Sequence, residues 1–308
     1  MKVYINRKPV VGPWGGGNKT VTKLAEKLED HGVDVVYTLQ PDIGLIFCFD
    51  PRPNDLGEWY GDFLKYREAH GAKIIQRVGD LGTHSKPHLT RLVQQSTPMS
   101  DFVIFPSDWA KAWLQFEKNN SKIIYNRPLA LFHEKKKNLS IDKKIKIITH
   151  HWSTNEKKGF DAYKIFDRHI KQDPRYEFVY VGRLPDGLTF QNSTHIQPVS
   201  SDILASMLPE NHIYLTASIE EAGANHVLEA MASGLPVVYD RSGGSIVDYC
   251  KDYGEGYDSF EEMIKKIDKV LDKYKLYKDK VMSYNDTIDE TIDSYIDIIL
   301  SMFQKERE

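Results

Sequence analysis

Two glutamates eight positions apart, Glu221 and Glu229, bracket the stretch EEAGANHVLEAMASGLPVV at residues 220–238. Glu221 and Gly223 lie in a loop that follows the apolar run HIYLTAS. A helix is expected to start near Asn225, a favourable cap residue, and to end at Gly234, before Pro236 opens the next strand. A helix start carries unpaired N–H groups and a partial positive charge, so it attracts phosphate. A carboxylate repels phosphate but accepts hydrogen bonds from hydroxyls. Phosphate and hydroxyls held side by side are the parts of a sugar nucleotide. Glu229, in the first helical turns, also has a plain reading as dipole stabilisation worth roughly 0.3–1 kcal/mol. Glu221 has no such simple account, because it sits above a strand end, where α/β proteins bind ligands.

Other residues could join this chemistry. Lys158, in THHWSTNEKKG at 149–159, falls after a strand and before a helix, where it offers a point charge to an anion. The adjacent histidines lack a nearby cysteine or third ligand, so no metal site is expected. Arg183, in YVGRLPDG, could reach a nucleotide or diphosphate, or form a surface salt bridge. GPWGGGNK at 12–19 joins a strand to a helix, and Gly15, Gly16 and Gly17 would let backbone approach a ligand. The run is neither the G-x-G-x-x-G fingerprint nor a P-loop. Trp14 is either an acceptor platform or a buried tryptophan. In QRVGDLGTH, Arg77, Asp80 and His84 follow a strand; Asp80 either orients an acceptor hydroxyl or stabilises a turn beside Gly79. Ser242–Ser245 either lines a donor pocket or forms a plain turn.

These residues need a frame. Apolar strand runs alternate with amphipathic helices from KVYI through SKIIYN, and again from IKIITHH onwards. A polar segment at 133–144, HEKKKNLSIDKK, separates the two series and reads as a solvated linker. Two such series imply two doubly wound α/β domains, with ligands at the carboxyl ends of the strands and a cleft between facing domains. Ser259 and Glu262 form a capping box before the penultimate helical stretch. Ile288, Ile292, Ile296, Ile299 and Phe303 mark a final amphipathic helix.

Composition excludes several classes. The 308 residues carry a formal charge of −3. Residues 1–140 hold 20 basic and 15 acidic side chains, a net of +5, and the rest hold 21 and 29, a net of −8. The basic first half suits an anionic acceptor or peripheral contact with a membrane surface, but it is too weak for a nucleic-acid protein. Cys48 and Cys250 are the only cysteines, which excludes a disulfide framework and a multi-cysteine metal site. The start KVYINR has no signal-peptide core, and no apolar run approaches a membrane span, so a cytoplasmic setting is expected.

The run S-x-x-E-A-G-x-N-x-x-L-E-A-M-A-x-G-L-P-V-V, from Ser218 to Val238, resembles the E-x7-E signature of retaining glycosyltransferases of family 4, which have the GT-B fold. Weaker similarity extends over nearly the whole chain. The resemblance implies an α/β GT-B architecture with two Rossmann-like domains facing across a cleft. Residues 1–137 would form the acceptor-side domain, with a terminal helix of about 284–308 packed back on it, and 138–283 the nucleotide-sugar domain. Glu221 would hold hydroxyls of the donor sugar, and Glu229 the ribose diol. The N–H groups of Gly223, Ala224, Asn225 and His226 would cradle the diphosphate, with Lys158 beside it. The family's usual arginine before Lys-Gly is absent, and HHWS stands in its place; His151 or Ser153 would supply the missing donor. The loop carrying Asp80 would touch sugar or acceptor.

The implied reaction moves a sugar from a UDP- or GDP-linked donor to a hydroxyl of a glycan or lipid-linked acceptor with retention, needing no metal and no cofactor. The alternatives are a sugar-nucleotide-binding epimerase or hydrolase and a noncatalytic subunit.

Overall fold

The computed structural model describes residues 1–10, 16–141 and 144–304, and the chain divides into two compact units. The first comprises Met1–Asn126 and Ile288–Glu308, the second Arg127–Thr287. Each is built on a six-stranded parallel sheet.

The first sheet contains β1 (Lys2–Ile5), β2 (Asp34–Val36), β3 (Leu45–Cys48), β4 (Lys73–Arg77), β5 (Phe102–Phe105) and β6 (Ser121–Ile123), in the order β2-β1-β3-β4-β5-β6. Helices α1 (Gly16–Asp30), α2 (Tyr60–His70), α3 (Pro87–Ser96) and α4 (Asp108–Trp113) connect them. All four residues of β3 are buried, as expected for a parallel strand covered on both faces. Ser107 caps α4 by accepting the Ala110 N–H at 3.0 Å. Helix α3 is an addition to the expected elements; its start is set by Pro87 in the first turn, and Leu89 and Val93 bury one face.

The second unit opens with α5 (Ala130–Glu134) and continues through β7 (Ile145–His151), α6 (Phe160–Gln172), β8 (Tyr176–Gly182), β9 (Thr194–Ile196), α7 (Ser201–Met207), β10 (Ile213–Thr216), α8 (Asn225–Ala232), β11 (Val237–Asp240), α9 (Ser245–Cys250), β12 (Gly254–Tyr257), α10 (Phe260–Asp272) and α11 (Tyr274–Ser283). The strand order is β12-β11-β10-β7-β8-β9. The chain therefore winds outward from β7 to β9, then returns beside β7 and winds the other way. Such a reversal, here between β7 and β10, is where open α/β sheets bind ligands. Beneath it, Ile147, Tyr163, Phe166, Phe178 and Leu215 belong to one aromatic-rich core.

The last helix, α12 (Ile288–Gln304), belongs to the first unit, where it packs on α1. Ile292, Ile296 and Ile299 are buried, and Lys27 pairs with Asp293. The unit boundaries lie at Asn126/Arg127 and Thr287/Ile288, which moves the expected limits at 137 and about 284. Residues 127–137 join the second unit because their side chains grip its end. Phe132 is buried, His133 Nε2 lies 2.8 Å from the Asp286 carbonyl oxygen, and Lys136 donates to the Tyr284 carbonyl at 2.6 Å. The basic, polar composition suggested a solvated linker, yet these groups serve as bonds to carbonyls. Cys48 and Cys250 are buried free thiols. Among the described residues, no helix is long and apolar enough to cross a membrane.

Candidate active site

The loop after β7 is brought onto the end of β10 by one glycine. Gly159 has φ 83°, and a Cβ there would lie 2.3 Å from the Ala217 carbonyl oxygen. Only glycine combines that backbone with that approach. Just before it, Glu156–Lys158 makes a single 3-10 turn capped by Asn155, whose side chain accepts the Lys157 N–H at 3.0 Å. Lys158 therefore meets the loop after β10, and its Nζ donates to Glu221 Oε1. The two side chains are only 12% and 14% exposed, so the pair is largely desolvated. One residue earlier, Lys157 Nζ donates to Glu220 Oε2 at 2.6 Å.

The Glu221 loop is braced on both sides. Ile219 N–H donates to the Lys157 carbonyl at 2.9 Å, and Glu220 N–H to the Ser242 carbonyl at 2.8 Å. Glu221 N–H reaches the Gly243 carbonyl at 3.2 Å, and Ser245 N–H returns to the Glu221 carbonyl at 2.8 Å. Ser242–Ser245 is thus a scaffold for the Glu221 loop. Ser245 Oγ also accepts the Ala224 N–H at 3.0 Å, which removes the Ala224 amide from the expected cradle. The cap residue of α8 is Ala224, not Asn225, which is the first helical residue. Among the described residues, no acceptor meets the N–H groups of Asn225 and His226, which is the usual condition of a first helical turn. Gly223 lies in the loop immediately before them.

Glu229 lies one turn into α8, and its Oε2 is 2.9 Å from His150 Nε2. These side chains are 12% and 11% exposed. The other ring nitrogen of His150, Nδ1, is 3.1 Å from the Tyr214 hydroxyl. The sequence pattern does not single out His150 from its neighbour His151. In the structure His151 Nε2 lies 2.7 Å from the buried Tyr163 hydroxyl of α6. It therefore does not present that nitrogen to a diphosphate. Successive strand residues face opposite sides, so only His150 places a ring nitrogen on Glu229, while the His151 ring packs edge-on against His226 of α8, 4.9 Å between centroids. His226 is half-buried beside them, with Nε2 3.2 Å from Thr216 Oγ1. Desolvation holds its pKa down at about 3, so the ring is neutral at ordinary pH.

At the ends of β7 and β8, Arg183 stacks its guanidinium over the Trp152 ring, 4.3 Å from the centroid. Gly182 allows these ends to close together, because a Cβ there would lie 1.9 Å from the His151 carbonyl oxygen. Arg183 makes no ion pair among the described residues, so the surface salt bridge weighed from the sequence is absent. Ser153 Oγ accepts the Asn155 N–H at 3.1 Å, a loop-forming bond. The arrangement gathers Lys158, Glu221, Glu229 and the start of α8 around one sheet reversal, with Arg183 and Trp152 on the neighbouring strand end.

The first unit contains the remaining expected residues. Gly16 opens α1 and Gly17 follows, while Gly15 and Trp14 lie outside the described residues. Asn18 accepts the Val10 N–H at 2.9 Å and donates to the Val10 carbonyl at 2.7 Å. Asp80 is a turn residue: its Oδ1 accepts the Gly82 N–H at 2.8 Å and its Oδ2 the Lys86 ammonium at 2.7 Å. Burial alone would raise its pKa, but Lys86 and the Gly82 amide hold it below the usual carboxylate value. Arg77 is buried, donating to the Tyr295 hydroxyl at 3.1 Å and to Asn126 at 3.0 Å, so it ties the sheet together. No group of three or more His, Cys, Asp or Glu side chains among the described residues has the disposition of a metal site.

The family model described as "Glycosyl transferases group 1" matches residues 132–285. No curated protein sequence matches the chain. Among solved structures, sucrose-phosphate synthase from Thermosynechococcus elongatus is similar, at 14% identity and a TM-score of 0.68, covering 99% of this chain and 100% of that one. Anabaena HepE in complex with UDP-glucose is similar at 14% identity and a TM-score of 0.66, covering 97% and 99%. WaaG, a glycosyltransferase involved in lipopolysaccharide biosynthesis, shares 14% identity and a TM-score of 0.68, again over 97% and 99%. At these identities the likeness concerns the fold, an α/β two-domain GT-B architecture.

Proposed function

This chain belongs to the glycosyl transferases group 1 family, and on that premise we propose that it is a retaining transferase of the E-x7-E type. It moves a sugar from a nucleotide-diphosphate sugar to a hydroxyl of a glycan or lipid-linked acceptor. The observation that carries this reading is the largely buried Lys158–Glu221 pair set beside the open N–H groups of α8. A cation and a helix start suit the diphosphate, and a carboxylate suits the sugar hydroxyls. Glu229 takes the ribose diol. Gly223, Asn225 and His226 form the amide cradle, while Arg183 on its indole faces the nucleotide in place of the family's missing arginine.

In this mechanism the acceptor oxygen bonds to the anomeric carbon on the face from which the diphosphate departs. The bond to the diphosphate oxygen breaks, and a departing phosphate oxygen takes the acceptor's proton. Lys158 and the helix start stabilise the charge that develops on the leaving group. Glu221 holds the sugar in line, so its contribution is orientation. No metal is required. UDP-linked sugars are the first donors to try, since HepE is described in complex with UDP-glucose, and GDP-linked sugars follow. The basic first half is assigned to an anionic or membrane-borne acceptor, and the setting to the cytoplasm.

The test combines nucleotide sugars with glycan and lipid-linked acceptors in the presence of EDTA and follows the anomeric proton by NMR. A product with the donor's anomeric configuration is expected. An inverted product overturns retention, and nucleotide binding without sugar transfer to any acceptor overturns the transferase reading. Donor converted without an acceptor supports an epimerase or hydrolase instead.

A further inference from the structure

Resting on the reading that Glu229 receives the donor's ribose, we propose that His150 is a positioning residue that fixes the Glu229 carboxylate and thereby sets how strongly ribose hydroxyls are recognised. Three observations carry this. His150 is the penultimate residue of β7, and its Nε2 lies 2.9 Å from Glu229 Oε2 across a sequence separation of 79 residues. Its other nitrogen, Nδ1, lies 3.1 Å from the Tyr214 hydroxyl, and the His150 N–H donates to that same oxygen at 3.1 Å. Tyr214 is fully buried on β10 and its ring lies edge-on to the imidazole, 5.4 Å between centroids. The histidine is therefore held at backbone and ring by one tyrosine.

The proton count gives a single direction to the bond with Glu229. The ionised carboxylate only accepts, so with a neutral ring the proton sits on Nε2, and the Tyr214 hydroxyl then faces two acceptors, Nδ1 at 3.1 Å and the His150 carbonyl oxygen at 3.2 Å. With a charged ring, both nitrogens carry protons. In both states Nε2–H donates to Glu229 Oε2. The carboxylate is then held at one oxygen by a donor on a strand, and its orientation no longer depends on side-chain rotation in α8. A carboxylate fixed in advance binds a diol without losing rotamer freedom on binding. The residues on either side of His150 are engaged elsewhere: Thr149 Oγ1 and His151 Nε2 both meet the Tyr163 hydroxyl of α6.

The test compares dissociation constants of UDP and of 2′,3′-dideoxy-UDP by titration calorimetry, with the guanine pair run in parallel. In the unaltered protein the dideoxy nucleotide should bind about tenfold or more weakly, the loss expected for hydrogen bonds to a charged group. Glu229→Gln should lower that ratio sharply. His150→Leu, which has no donor, should lower it as well. His150→Gln, whose amide nitrogen reaches as far as Nε2, should restore most of it. A merely structural histidine would shift the melting temperature and leave the ratio intact. An unchanged ratio in His150→Leu, with Glu229→Gln impaired, overturns the role of His150 alone. An unchanged ratio in Glu229→Gln overturns the ribose assignment beneath it. Should His150→Leu fail to fold, His150→Asn, whose shorter amide stops short of Glu229, takes its place, and a wild-type ratio there overturns the proposal.

Discussion

Lys158 and Glu221, 63 residues apart in sequence, form a largely buried ion pair that joins the loop after β7 to the loop after β10. Both loops leave the sheet where its strand order reverses. Removing one partner of such a pair strands a charge in a poorly solvated place, which costs about 3–5 kcal/mol. Glu221→Ala should therefore reduce both stability and transfer. Glu221→Gln retains the shape and a hydrogen-bond acceptor for Lys158, so it should lose less stability while still lowering kcat roughly 100-fold, by analogy with loss of one preorganised polar contact. Chemical denaturation beside steady-state kinetics separates the two effects. Full turnover in Glu221→Gln would remove the carboxylate from the mechanism.

Gly159 should be far less replaceable than a glycine with a similar backbone elsewhere. At Gly32, φ is 72° and nothing lies within 4 Å of an added Cβ. Gly32→Ala should cost about 1–2 kcal/mol, the conformational term alone. Gly159→Ala adds a collision with the Ala217 carbonyl, so it should cost more and also separate Lys158 from Glu221. Urea midpoints for the two variants, with kcat for the same samples, decide this. Equal losses at both positions would contradict the close approach.

His226 should make the protein acid-labile. Its folded pKa, about 3, is below the ordinary value of 6.5 because burial disfavours the cation. Below pH 6.5 the unfolded chain takes up a proton that the folded chain refuses. Stability therefore falls as pH drops through 6.5, and this loss is complete only below about 3. The contribution is on the order of 4–5 kcal/mol. His226→Gln, which retains a polar group near Thr216, should flatten the stability profile between pH 6.5 and 4. Guanidinium melts at a series of pH values provide the measurement, and parallel profiles for the two proteins would refute it.

Arg183 is exposed, so its loss should leave stability within about 0.5 kcal/mol. Nucleotide affinity should still fall severalfold in Arg183→Ala, and the salt dependence of binding should weaken with it. Arg183→Lys keeps the charge but loses the planar stack on Trp152, and should recover only part of the affinity. Calorimetric titration of UDP and GDP at two salt concentrations reads both effects. Unchanged affinity in Arg183→Ala would make the stack a surface feature without a ligand.

Much of the site was legible because its chemistry is local. Glu221, Gly223 and Glu229 lie within one loop and the helix that follows it, and alternating strands and helices already place that loop at a strand end. Lys158 was legible for the same reason. Asp80 was weighed as a turn residue or an acceptor contact, and its bonds to Gly82 and Lys86 show the turn.

What the amino-acid order determined by itself was the set of strand-end loops and the charges they hold. Tertiary structure alone decided which of those charges meet. All of β7 except Lys146 is buried, so burial along the strand does not distinguish the directions of His150 and His151. The pairing of His150 with Glu229, like that of Lys158 with Glu221, follows from β7 and β10 lying side by side. The Ala224 amide was likewise committed to Ser245 Oγ by a contact 21 residues away. The boundary at Asn126 was fixed by carbonyls that Lys136 and His133 found at the far end of the unit. Local sequence states which groups a loop carries, whereas packing between distant segments states which partners exclude water around them.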